Sequence, residues 1–449
     1  MRRFVKIDIL LFLIAGLIFE IQPQIIIPGN PYEDMEKEEK APEPEKVKPG
    51  TRTQKIISEI QTLLKQNAET KALPAVAYQL NYRHHPLVAG AIGMDVDSQV
   101  SIASTSKTMT GMVMIQFMRM GLIDIDDPIS KYLPEAKNLS IDPNKQITIR
   151  HLLQHRSGIP YTAKNRVKVA GLSIPMPKLP PGVSFQYANP NFNLLAKIVE
   201  KISKQPFYKA VQLYVVEPFR LNGTLSGPGA SGAAGIRSTV QDLSILADFL
   251  IKDFKQKGRK SWLAELALNP EGIPSTGNQS YYGLGWRVTL RNGEIFSMHH
   301  YGDWHKGVCI FYVFPLHSAS FAYVATPPDY SARQVQNVKL ALINYAQDYA
   351  DSLDRTSNPQ VSSSGLNIIK DKSKLYIGSY TNSRTNESVN IFSKDGQLYL
   401  KRSDREVPLK YLSDWEFEGD STEYSVQFYF DENAKVRAVI DMGDYFQKN

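Results

Sequence analysis

Ser104-Thr105-Ser106-Lys107, followed by the run Met109 to Met120, decides the reading of this chain. Residues three apart on a helix share a face, so this spacing brings the Lys107 amine to the Ser104 hydroxyl. The run from Met109 to Met120 is apolar nearly all round, which predicts a helix buried at a domain centre. Ser104 then falls at the helix start, where the positive end of the helix dipole favours a developing anion. A serine hydroxyl needs an adjacent base before it attacks anything. Lysine serves only where burial and neighbouring charge bring its pKa down toward neutrality. Four residues alone occur by chance in many proteins, so the rest of the chain has to carry the argument.

Two more stretches do so. Phe185-Gln186-Tyr187-Ala188-Asn189-Pro190-Asn191 is the first, and His299-His300-Tyr301-Gly302-Asp303-Trp304 is the second. Val308 to Phe314, just after, reads as a buried strand. Together the motifs run S-x-x-K, Y-x-N, H-x-G, a relative of the S-x-x-K, S-D-N, K-T-G set of penicillin-recognising serine enzymes. The chain resembles the serine β-lactamase / D-alanyl-D-alanine carboxypeptidase / D-aminopeptidase / esterase superfamily, in its class C-like branch with tyrosine in the second motif. Gly121 to Ile129, Tyr132-Leu133-Pro134, Thr148 to Ile159, Ala234 to Thr239 with Asp242, and Tyr282 to Trp286 match further family segments. The resemblance spans roughly residues 53–350.

The resemblance implies acyl transfer through a covalent serine ester. Ser104 would be the nucleophile and Lys107 the general base, with Tyr187 sharing the proton work as general acid/base. A tyrosine titrates near 10, so a basic role at neutral pH needs nearby cations, Lys107 and a protonated His300 being the candidates. Such groups are coupled, and the proton belongs to the set rather than to one residue. Asn189 would hydrogen-bond Lys107 or the substrate amide, or serve as a turn residue before Pro190. The backbone N–H groups of Ser104 and Asp303 would form the oxyanion hole. Gly302 would let the strand approach the substrate closely, and Tyr301 would lie beside it in the substrate-binding triplet.

Other side chains carry blander readings. His299, His300 and His305 lack the carboxylates or cysteines that would complete a zinc site, so neither metal nor cofactor is expected. His151 and His155, four apart, read as structural, and Asp242 reads as a helix-positioning residue. Ser101 and Ser106 have no lysine three residues on. No G-x-S-x-G elbow occurs, which argues against an α/β-hydrolase. Where relatives carry Lys-Thr-Gly or Lys-Ser-Gly, this chain has His300-Tyr301-Gly302. The bulk of Tyr301 speaks against holding a substrate carboxylate there, and hence against strong hydrolysis of β-lactam antibiotics.

At 449 residues the chain has room for two or three domains. The expected fold is α+β: an antiparallel sheet flanked by helices plus a helical lobe over residues 53–350, with a small all-β domain over 366–449. The sheet would use strands near Ala75 to Tyr82, Trp286 to Thr289, Val308 to Phe314 and Ser320 to Ala325, with His300-Tyr301-Gly302 on a facing edge strand. Five apolar runs predict strands of the last domain: 375–377, 389–391, 398–400, 426–430 and 436–440, with turns at Lys394-Asp395-Gly396 and Asp431-Glu432-Asn433. Tyr376 to Tyr380 with these runs resembles a lipocalin-like barrel. Residues 28–52 and 351–365 read as polar linkers, the first rich in Pro, Glu and Lys. Arg2, Arg3 and Lys6 precede the apolar run Ile9 to Phe19, so residues 1–27 predict export, as a signal peptide or a membrane anchor. The only cysteine, Cys309, excludes an intrachain disulfide framework. Net charge is +7, but the basic residues form no long block interleaved with aromatics, so nucleic acid is not an expected partner. The expected partner is a small-molecule or peptide substrate. A D-alanyl-D-alanine carboxypeptidase is the neighbouring reading, and a catalytically silent binding protein on the same fold is the reading of another class.

Overall fold

A computed structural model describes residues 29–32, 49–353 apart from 71, 140, 143, 271–278, 305–306 and 330, and most of 374–449. In that last stretch, 383–385 and residues of the turns between later strands fall outside the description. So do residues 1–28, most of the first linker, residues 354–365 of the second, His305, and both expected hairpin turns.

The chain folds as α+β. Seven antiparallel strands form the central sheet: β1 Val76–Tyr82, β2 His85–Ile92, β3 Gln279–Tyr282, β4 Arg287–Arg291, β5 Glu294–Trp304, β6 Gly307–Phe314 and β7 Ala319–Ala325. Their order across the sheet is β2-β1-β7-β6-β5-β4-β3. The sequence halves therefore meet between β1 and β7, where Val76 lies opposite Ala325 and Tyr82 opposite Ala319. Every residue of β6 and β7 is buried. A strand covered on both faces reads as a continuous apolar run rather than an alternating one, which is why Val308 to Phe314 stands out in the sequence.

Strand alternation sends the two faces to different cores. Val308, Ile310, Tyr312 and Phe314 pack against the N-terminal helix α1 (Thr51–Glu69) and the long helix α5 (Arg333–Ser352). Ile56, Ile60 and Leu64 of α1 and Val335, Val338, Leu342 and Ala346 of α5 supply that side at helical spacing. Cys309, Phe311 and Val313 face the helical lobe, whose core holds α2 (Ser106–Arg119), α3 (Asn189–Ser203) and α4 (Val240–Lys257). All residues from Ser106 to Phe117 are buried. That encirclement is what the unbroken apolar run of α2 anticipates.

His300-Tyr301-Gly302 is not on an edge strand, because β5 lies between β6 and β4. The strand is nonetheless open along part of one side. The β4 pairing stops at His299 opposite Arg287, while β6 pairing continues to Trp304 opposite Gly307. From His300 onward the β4 side of the strand is given up, and the first turn of the nucleophile segment packs there instead. A Cβ at Gly302 would lie 2.1 Å from the Ile102 carbonyl oxygen. Gly302 thus serves this strand–turn contact.

Beyond residue 374, eight antiparallel strands from Gly378 to Lys448 close into a barrel, each paired with the next in the chain and the last with the first. Four of the five expected runs lie within strands. Leu375-Tyr376-Ile377 does not: Leu375 and Tyr376 belong to a helical turn before the first strand. Tyr376, Tyr380, Leu398, Leu400, Phe417, Phe428 and Phe446 share the barrel's buried core. An eight-stranded barrel has an interior about wide enough for such side chains to fill. Among the described residues no helix is long and apolar enough to cross a membrane.

Candidate active site

Ser104 lies in a one-turn 3-10 segment, Ala103–Thr105, that leads into α2. Ala103 takes φ +45°, a left-handed backbone that costs a non-glycine residue free energy. Surrounding bonds hold it there: Ile102 N–H donates to the Ile236 carbonyl (3.0 Å) and Thr105 N–H to the Ile102 carbonyl (2.9 Å). From Ile102 to Phe117 every residue is buried except Ser104, which is partly exposed. The turn therefore presents one hydroxyl to solvent from an otherwise closed segment. Ser101 and Ser106 are differently engaged, Ser101 Oγ accepting from Ala103 N–H and the buried Ser106 Oγ from Ile236 N–H.

Lys107 is fully buried, with Nζ 3.1 Å from Ser104 Oγ and 3.0 Å from the Ala233 carbonyl oxygen. Its second partner is therefore this carbonyl and not Asn189. Ala233 adjoins the Ala234–Thr239 segment singled out in the sequence. The amine also lies 4.8 Å from the Tyr187 ring centre and 5.7 Å from that of Phe192. Burial, and then the positive charge of Arg287, hold its pKa well below the usual lysine value. Once deprotonated, an amine bonded to a serine hydroxyl is a base in position. The loop behind it is equally tight: Gly285, at φ +85°, would place a Cβ 2.5 Å from the Lys107 carbonyl oxygen.

Tyr187, one residue before the N-cap of α3, faces Ser104, whose hydroxyl favours the ionised form of the phenol. Burial raises its pKa, while Ser104 and Arg287 pull it down. Its ring is wedged against His155, centres 4.4 Å apart. His155 is fully buried, and its Nδ1 accepts from the Ala188 N–H (3.2 Å) and stands 3.1 Å from Asn191 Nδ2. It is thus the residue that fixes the backbone around Tyr187, a concrete form of its structural reading. His151 instead completes a capping box with Thr148 at the start of helix Ile149–Leu153. Asp242 sits in the first turn of α4, capped by Thr239, and accepts from Thr224 Oγ1.

Asn189 donates from Nδ2 to the Tyr161 hydroxyl (2.7 Å), and its buried Oδ1 has no hydrogen-bond partner among the described residues. His300 faces the same cluster, 6.4 Å from Tyr187 between ring centres. Its Nδ1 is 2.7 Å from the Tyr301 carbonyl and its Nε2 2.9 Å from the Tyr282 hydroxyl. A carbonyl only accepts, so Nδ1 carries the proton and Nε2 accepts from Tyr282. Burial and then Arg287 hold the imidazole well below its usual pKa. His300 is therefore neutral at pH 7 and is not the second cation expected near Tyr187.

That cation is Arg287, at the start of β4. It is 7% exposed, with its guanidinium carbon 5.7 Å from the Tyr187 ring centre and 6.0 Å from that of Tyr282. Its charge disfavours protonation of Lys107 and favours ionisation of Tyr187. The signal in the sequence was a cation straight after Tyr282-Gly283-Leu284-Gly285-Trp286, at the mouth of an apolar strand. Replacing Arg287 with Gln should relieve the penalty on a protonated Lys107 and raise its pKa. Tyr187 loses a favourable neighbour too, so the whole kcat/KM profile should move to higher pH. Measured on an ester with no titrating group, an acid limb that stays put would contradict this role.

Tyr301 points elsewhere. Its hydroxyl meets that of Tyr312 at 2.5 Å, and its ring belongs to the core under α1 and α5. Strand alternation puts 300 and 301 on opposite faces, so Tyr301 is no substrate contact, and the argument from its bulk against β-lactams lapses. The His299 ring stacks on Tyr312 on that same far face. The Asp303 carboxylate pairs there with Lys339 of α5, the two side chains 7% and 4% exposed. Removing one partner of a buried pair strands the other charge. Lys339→Met should accordingly cost about 3–5 kcal/mol in urea unfolding; a loss below about 1 kcal/mol would show the pair to be dispensable.

An α+β sheet with a helical lobe, and between them a serine bonded to a buried lysine and faced by a tyrosine, is the construction of a serine hydrolase. Comparison with known proteins agrees. The family model described as Beta-lactamase matches residues 60–344, and the chain belongs to that family. Protein flp of Staphylococcus aureus (strain COL) is 31% identical over 149 residues, covering 29% of this chain and 30% of that protein. AmpH of Escherichia coli K12, a D-alanyl-D-alanine-carboxypeptidase/endopeptidase, is 25% identical over 236 residues, 42% of this chain and 61% of AmpH. The chain thus spans less than two thirds of the length of either relative. The octameric penicillin-binding protein homologue from Pyrococcus abyssi shares the fold, with TM-score 0.54, 18% identity, and 87% and 100% of the two chains covered.

Proposed function

We propose that this protein is an exported serine hydrolase that cleaves a small ester or peptide through an acyl-enzyme. The observation that carries the reading is the 3.1 Å contact between Ser104 Oγ and the fully buried Lys107 amine. Ser104 Oγ adds to the substrate carbonyl carbon as its proton passes to Lys107 Nζ. The carbonyl oxygen takes the negative charge, which the N–H groups of Ser104 and Asp303 receive. When the tetrahedral adduct collapses, the bond to the leaving alcohol or amine breaks. The leaving atom takes a proton from the Lys107–Tyr187 pair, whose hydroxyl and amine both reach Ser104. Water then adds to the ester carbonyl by the same route in reverse, releasing the acid and restoring Ser104. The unpartnered Oδ1 of Asn189 suits a substrate amide N–H, and His300 and Tyr282 form a neutral wall that keeps the site dry.

Export rests on the basic-then-apolar pattern of residues 1–27. The likeness of the C-terminal barrel to lipocalins belongs to the same proposal, and its side-chain-filled core favours packing as its role. Activity on D-alanyl-D-alanine ends is the second reading, favoured by the name of AmpH. The test is turnover of a panel holding p-nitrophenyl acetate, a D-alanyl anilide, a peptide ending in D-alanyl-D-alanine and a penicillin, with Ser104→Ala alongside. Hydrolysis of any of them by the wild type alone supports the reading. Equal rates from both proteins would refute it.

A further inference from the structure

Residues 143–199 contain no Asp or Glu, in a chain with 45 acidic residues among 449. The same stretch carries Lys145, Arg150, Arg156, Lys164, Arg166, Lys168, Lys178 and Lys197, and it also holds Tyr187 and Asn189. Most of these cations are accounted for. Arg150 pairs with Asp126, Arg156 donates to the Gly182 carbonyl, and Lys197 pairs with Glu200. Lys164, Arg166 and Lys168 differ. All three are exposed, and none pairs with a carboxylate among the described residues.

Arg166 and Lys168 lie on a hairpin, Arg166–Val169 against Leu172–Pro175, and Lys164 lies two residues before it. Val169 and Ile174 are buried, while Arg166, Lys168 and Ser173 take the exposed positions. The Arg166 guanidinium is braced by Ser173, donating to its Oγ (3.1 Å) and its carbonyl (2.6 Å). The hairpin is anchored at the active site. Met176 N–H donates to the Asn165 carbonyl, Lys178 N–H to the Gly158 carbonyl, and Tyr161 accepts from Asn189. Tyr161 and Arg166 are five positions apart, a span of at most about 17 Å. At the far end, Ala170 borders Glu135, Lys197, Glu200 and Lys201, two carboxylates and two cations, and the strip stops.

We propose that the Lys164-Arg166-Lys168 strip docks a carboxylate-bearing part of the substrate, so that this hydrolase favours acidic peptides over neutral ones. The inference rests on the serine-hydrolase reading for its turnover test only. Two cations on a braced hairpin and a third just before it repel one another, none of them pairs with a carboxylate among the described residues, and an anionic ligand relieves that repulsion. A lipid surface fits less well, since none of the exposed large hydrophobic residues falls between 160 and 180.

The test compares the p-nitrophenyl esters of acetyl-Glu-Glu-D-alanine and acetyl-Gln-Gln-D-alanine on the full chain. At low ionic strength the Glu-Glu ester should show kcat/KM about tenfold higher, and high salt should erase the difference. Lys164→Gln/Arg166→Gln/Lys168→Gln should remove the preference while leaving Gln-Gln turnover unchanged. Equal turnover of the two esters, or a preference that survives in the triple variant, overturns the proposal. Binding of the corresponding fluorescein-labelled peptide amides needs no catalysis and separates the two failures. Tighter binding of the Glu-Glu amide, lost in the variant, sustains docking even if neither ester is cleaved. Equal binding of both amides, with phosphatidylglycerol vesicles captured by the wild type only, assigns the strip to a lipid surface and overturns the substrate reading.

Discussion

Lys107→Met is expected to lower kcat by at least about 10³ while the protein stays folded. Without the amine, Ser104 Oγ loses the group placed 3.1 Å away to take its proton, and an unassisted hydroxyl is a poor nucleophile at neutral pH. General-base assistance is worth about 10²–10⁴, and the loss of Lys107 also removes a donor from the proton path to the leaving group. Stability should behave differently. Methionine fills the space beside Tyr187 and Phe192 without a titratable group to desolvate. The main loss is one bond to the Ala233 carbonyl, about 1 kcal/mol. Full unfolding curves and kcat on one chromogenic ester settle the point. Turnover within tenfold of wild type, on a folded variant, would remove lysine from the mechanism.

Tyr187→Phe should cost two to four orders of magnitude in kcat with KM little changed. The substitution deletes only the hydroxyl that faces Ser104. The ring keeps its packing on His155, so the backbone of the second motif should not move. A fall in kcat at constant KM marks a group used in the transition state rather than in binding. Less than a tenfold loss would reduce Tyr187 to a positioning residue, leaving Lys107 as the sole proton carrier.

Much of this site is written locally in the chain. Ser104 and Lys107 are one helical turn apart, and the apolar run that buries the lysine follows directly, so one stretch states both the base and its desolvation. Tyr187, Asn189 and His300 were legible through their order and spacing. What stayed hidden depends on register. Arg287 enters because β4 begins opposite His299, a pairing that no local pattern announces. His155 reads as half of a bland pair until the fold brings it under Tyr187. Tyr301 was the avoidable miss: the two-residue period of a strand sends it to the face opposite His300. Gly302 admits the Ile102 turn, a neighbour that its place in the motif does not announce. In the barrel, apolar runs mark four strands, whereas Arg405–Ser413, Glu416–Glu418 and Asp444–Lys448 are interrupted by charged residues and show no such run.

The central claim is that Ser104 is an activated nucleophile, and covalent capture tests it most directly. The protein is exposed to a fluorophosphonate, and the intact mass of wild type is compared with that of Ser104→Ala. The account predicts one phosphonyl adduct on the wild type, mapped to the peptide that contains Ser104, and none on the variant. A folded wild type that stays unlabelled, or an adduct that persists in Ser104→Ala, would contradict it.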